Sequence, residues 1–115
     1  MTRAGDIEAR ITLVPTADGG RQGPAQTGFR PQFRYEGHDW DAVHDFVDKE
    51  WLYPGETAVT HVTFLSPDAH VGRMVVGTKF ELCEGQRVIG AGVVTRILEL
   101  KKSARNHGRT VQRKR

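Results

Sequence analysis

The chain has 115 residues, of which 37% are hydrophobic and 27% charged, with a formal net charge of +3. That length points to a single domain burying roughly two-thirds of its unfolded surface, enough for one core without staples. One cysteine excludes an internal disulfide or a cysteine metal cluster, no apolar run approaches a membrane span, and the opening MTRAGDIEAR holds no apolar signal core. The expected compartment is therefore the cytoplasm.

In chain order, Ile7, Ala9, Ile11 and Leu13 alternate with Glu8, Arg10 and Thr12, the period-two signature of a half-buried strand. Pro15 ends it, and residues 16–26 form a polar loop rich in Gly and Pro. Residues 29–35 read as a second strand, in which Pro31 argues for an edge or a bulge. Residues 36–50 are ambiguous. Trp40, Val43, Phe46 and Val47 fit a helical face, whereas Trp40, Ala42, His44 and Phe46 fit alternation less well. Pro54-Gly55 is a turn, and residues 57–65, rich in Val, Thr and Phe, form a strand that Ser66-Pro67-Asp68 breaks. Residues 74–83 and 87–98 give two more strands joined by a tight hairpin at Glu84-Gly85-Gln86, where Gly85 is free to adopt positive φ. Gly90 and Gly92, inside the last strand, mark a bend or a close neighbour. Short strands at regular intervals imply an antiparallel barrel or sandwich, and closure would remove the exposed edges that invite aggregation.

Charge is unevenly divided. Residues 101–115 hold seven of the 17 Lys/Arg (Lys101, Lys102, Arg105, Arg109, Arg113, Lys114 and Arg115) and no acid, which leaves ten bases against 14 acids in residues 1–100. The body is thus mildly acidic and the C-terminal segment strongly basic, the electrostatic footprint of a polyanion binder. With no apolar residue beyond Val111, this segment is expected as a disordered basic tail.

Three segments resemble the C-terminal β-barrel domain (domain 3) of bacterial elongation factor Tu. They are Gly19-Gly20-Arg21 through Phe29-Arg30-Pro31-Gln32-Phe33; Pro54-Gly55-Glu56 leading into the Val59 strand and Pro67; and Phe80-Glu81-Leu82 followed by Glu84-Gly85 and Arg87-Val88-Ile89-Gly90-Ala91-Gly92-Val93-Val94. Their order and spacing follow that domain over roughly residues 6–100. The resemblance implies an all-β fold: a single six-stranded antiparallel closed barrel over residues 1–100, followed by a flexible basic tail, 101–115. It also implies contact with the backbone of tRNA through Arg21, Glu84 and Gly85, where an arginine fork grips phosphate and a glycine turn admits the ribose-phosphate chain. Two positions depart from the family. Ser66 replaces the basic residue before the proline, and the acidic residues 36–41 replace a Thr-Thr-Asp-Val segment. The aromatic-Arg-Pro-Gln-Phe face, with Phe29, Arg30 and Gln32, packs on a GTPase domain in the family. Here Arg30 and Gln32 are expected either to be solvent-exposed or to meet a protein partner, such as a GTPase domain in trans.

The expected function is a non-enzymatic, translation-associated binding module. Its RNA contacts would be Arg21, Glu84, Gly85, Lys101, Lys102, Arg105 and Arg109, and it would need no cofactor. The alternative is a protein-interaction module, for example an immunity or decoy protein mimicking elongation factor Tu. The bland reading of Arg21 is a loop-closing arginine bonded to carbonyls and Asp18. No GxxxxGK[ST] loop occurs, so GTP hydrolysis is not expected. His44 and Asp48 would be i,i+4 metal ligands only on a helix, and no third ligand is specified, so no metal site is expected. Cys83 lies in acidic sequence and reads as structural rather than catalytic, and Trp40 and Trp51 as packing residues.

Overall fold

A computed structural model describes the backbone of residues 4–113 and the side chains of residues 4–107. Eight strands precede one helix: β1 (Ile7–Leu13), β2 (Ala25–Gln26), β3 (Gln32–Tyr35), β4 (His38–Phe46), β5 (Trp51–Leu52), β6 (Thr57–Phe64), β7 (Lys79–Glu84), β8 (Arg87–Ile97) and α1 (Leu100–Arg113). Six strands close into an antiparallel barrel in the order β1-β6-β4-β3-β7-β8, and β2 pairs with β5 as a separate two-stranded ribbon. The six-stranded closed barrel expected from the sequence is the observed fold.

The alternation in β1 places Ile7, Ala9, Ile11 and Leu13 in the interior, all fully buried. The centre of the core is Phe33, stacked on Phe80 with ring centroids 4.1 Å apart and packed edge-on against Phe64 at 5.0 Å. Gly92 makes that stack possible, since a Cβ there would lie 2.4 Å from the Phe80 ring. Its place in the last strand is therefore the close approach its position implied.

Four sequence expectations change. Residues 38–46 are strand β4, not helix: Ala42, His44 and Phe46 face inward, and the backbone is bonded to β3 on one side and β6 on the other. Two available ladders outweigh a weak helical period. The chain enters β4 through the two-residue hairpin turn Glu36-Gly37, both at positive φ (51° and 77°). Pro31 lies just before β3 rather than within it, so β3 is an interior barrel strand with partners on both sides. Residues 74–78 are loop, and β7 starts at Lys79; Met74 is buried because its amide turns back to the carbonyl of His70.

The fourth change concerns the basic segment. Expected as a disordered tail, it is helical from Leu100 to Arg113. It does not fold in isolation but docks. Leu100 is buried in the barrel core cluster, the Ser103 hydroxyl donates to Asp6 Oδ1 at 2.5 Å, and His107 lies 3.5 Å from Asp68 on the short 3-10 turn Pro67–Ala69. Asp6, itself buried, accepts the Phe64 amide on its other oxygen at 2.8 Å, tying β1, β6 and α1 together. No helix among the described residues is long and apolar enough to cross a membrane.

Candidate functional site

The first candidate surface is the loop after β1. Gly20 is required there by space: a Cβ would sit 2.0 Å from the Val14 carbonyl oxygen. The tight loop aims Arg21 across the end of the barrel. Its Nε donates to the Gly23 carbonyl at 3.2 Å, Nη2 to the Pro24 carbonyl at 3.1 Å and Nη1 to Glu84, while the guanidinium lies 5.1 Å from the centre of the Phe29 ring. Arg21, Phe29 and Glu84, distant in sequence, are thus one cluster. The carbonyl closure matches the bland expectation, but the acid that completes it is Glu84, not Asp18. Three of the five guanidinium N–H groups are used, so two remain to donate outward from a half-buried position. Beside them Gly85 turns at φ 62° on an open surface, with nothing within 4 Å of where a Cβ would stand.

The remaining residues of the proposed protein-facing set do not share one contact. Phe29 is half-buried beneath Arg21 and pairs with His44 through an isolated bridge. Gln32 donates to Asp41 at 2.9 Å across β3 and β4. Arg30 is exposed and has no bonding partner among the described residues.

The second candidate surface is α1. Lys101, Lys102 and Arg105 are exposed on its first two turns; Lys102 lies 3.7 Å from Glu99, and Lys101 and Arg105 have no acidic partner among the described residues. Arg109 is on the same helix, its side chain outside the described residues. The two surfaces are not adjacent. Gly85 precedes β8 and α1 follows it, so the two lie at opposite ends of this 11-residue strand, whose bulges opposite β1 and β7 keep them less than about 33 Å apart.

The acidic, histidine-bearing run is dispersed by the strand geometry. Asp39 is bonded by Arg34 at 2.6 Å, a contact that holds its carboxyl below the usual range; Asp41 is bonded by Gln32; His44 points into the core. No group of three or more His, Cys, Asp or Glu that could hold a metal occurs among the described residues. Burial lowers the His44 pKa to about 3, and neither ring nitrogen has a partner. Cys83 is buried, and burial pushes its thiol up, away from nucleophilic chemistry. Trp40 packs edge-on against His70 at 4.7 Å, and Trp51, 45% exposed in β5, holds a rim position rather than a core one.

Sequence reasoning missed two features. One is the anchor Asp6, whose only signal was an acid directly before an alternating strand. The other is buried His70, which shares a 2.5 Å hydrogen bond with the Tyr35 hydroxyl and packs on Phe64 and Trp40. Compared with known families, residues 1–98 match the family model described as the elongation factor Tu C-terminal domain. The match ends two residues before α1.

Proposed function

The chain belongs to the elongation factor Tu C-terminal domain family, and from that premise we propose that it acts as a translation-associated binding module contacting tRNA in the cytoplasm. The observation that supports this reading is a docked, acid-free basic helix held against a mildly acidic barrel. Lys101, Lys102 and Arg105 are the electrostatic contact, continued in sequence by Arg109. Docking matters because a helix held at fixed orientation presents its cations without the ordering cost of a free tail.

The same helix supplies charge that the barrel lacks. Ser66 stands where the family carries a basic residue, directly before the 3-10 turn Pro67–Ala69, and α1 packs on that turn. Lys101 and Arg105 thereby return positive charge to this end of the barrel. At the opposite end, Arg21, Glu84 and Gly85 form a second contact, a weaker one because Glu84 offsets the arginine. An RNA touching both must extend along the length of β8.

Gel-shift titration with tRNA at low ionic strength tests this reading. Binding is expected; Arg21→Ala should weaken it modestly, and deletion of residues 101–115 should weaken it more. Absence of any shift at low salt contradicts it.

A further inference from the structure

Beyond RNA, α1 and the loop before β7 enclose a groove of about 360 Å³ lined by Asp68, Val71, Lys101, Ala104 and Arg105. The same loop exposes Val71, Val75 and Val76 at 39%, 56% and 63%. Val71 lines the groove, and Val75 and Val76 extend the exposed apolar character of the same loop beyond it. The groove carries two bases, Lys101 and Arg105, against one acid, Asp68. Asp68 is engaged by His107, whereas Lys101 and Arg105 have no acidic partner among the described residues.

We propose that this groove docks an acidic amphipathic segment of a partner protein, with an apolar side chain against Val71 and Ala104 and flanking carboxylates on Lys101 and Arg105. Charge complementarity selects the carboxylates, and the aliphatic wall selects the apolar residue. The groove offers no aromatic ring for a base to stack on, so a nucleic acid would engage only its cations, through phosphate, and leave the aliphatic wall unused. The inference does not rest on the RNA reading, since its probe contains no nucleic acid.

The test is an amide-resolved NMR titration of the full chain with a synthetic Glu/Leu peptide whose leucines follow i, i+3, i+4, i+7 spacing. Saturable shifts are expected at Val71, Val75, Val76 and Ala104. A scrambled peptide of the same composition should bind about tenfold more weakly, as should the Lys101→Glu/Arg105→Glu variant with the original peptide. Val76→Asp, at an exposed site that leaves the fold intact, should also weaken binding. Equal affinity for the scrambled peptide, or shifts confined to other surfaces, overturns the proposal. So does sedimentation with phosphatidylserine vesicles that Val76→Asp abolishes, when the peptide gives no shifts.

Discussion

His44 and His70 are the residues through which stability depends most directly on pH. Both are fully buried, and burial holds their pKa values at about 3 and about 4. In the unfolded chain each protonates below about 6.5, so the unfolded state binds more protons than the native one as pH falls. Stability is therefore complete above pH 6.5 and declines below it, by up to about 1.4 kcal/mol per pH unit for each histidine, until the native values are reached. Denaturant melts between pH 7 and pH 4.5 measure this slope. His44→Leu should roughly halve it. Because neither His44 nitrogen has a partner, the substitution should cost little at pH 7, within about 1 kcal/mol. An unchanged slope would show that His44 does not titrate as its burial requires.

Glycine substitutions separate two kinds of crowding at the same scale. At Gly92 a Cβ meets the Phe80 ring at 2.4 Å, a side chain that can shift at a cost of about 1–3 kcal/mol. At Gly20 it meets the Val14 carbonyl at 2.0 Å, which is backbone and cannot. Thermal unfolding should therefore find Gly20→Ala more damaging than Gly92→Ala. Both glycines were visible in the sequence as members of motifs. The atoms they make room for were not, because Val14 approaches Gly20 only through the fold of the loop after β1, and Phe80 approaches Gly92 only through the β7–β8 register.

Among elements, β1 was legible because a clean alternation of Ile, Ala, Ile and Leu admits one face to the core. The β7–β8 hairpin was legible because Gly85 sits where its turn needs positive φ. β4 was not: its inward residues include His44, and its outward ones include the part-buried Val43, which blurs a period of two into a helical one. Helix α1 was hidden for a different reason. Among the described residues its docking rests on buried Leu100, on a hydrogen bond from Ser103 to Asp6, 97 residues away, and on His107 beside Asp68. Local composition reports only the charge. Asp6→Ala should release α1 and strip the Phe64 amide of its acceptor, costing about 1–3 kcal/mol. Hydrogen exchange should then show loss of protection at Phe64 and through α1, while the β7–β8 hairpin stays protected. Loss of protection everywhere would mean that Asp6 supports the whole barrel instead.

For the whole molecule, the sequence identified the barrel and the sign of its charge division but not its geometry. Arg21, Glu84 and Gly85 gather at one end of β8, and Lys101, Lys102 and Arg105 at the other. The barrel-borne contact and the basic segment expected from the sequence stand at opposite ends of that strand. The Arg21 pole is partly neutralised by its own Glu84, which leaves α1 as the dominant electrostatic element. Most of the salt dependence of RNA binding should accordingly reside in the helix.

Fluorescence anisotropy of labelled tRNA across a salt series measures that directly. Replacing Lys101, Lys102 and Arg105 together by Gln should flatten the slope of log K against log salt by about 2 to 3, roughly 0.7–0.9 for each phosphate that is no longer neutralised. Arg21→Gln should flatten it by less than about 1. Equal slopes for wild type and the triple variant, or no binding at low salt, would contradict a tRNA contact carried by α1.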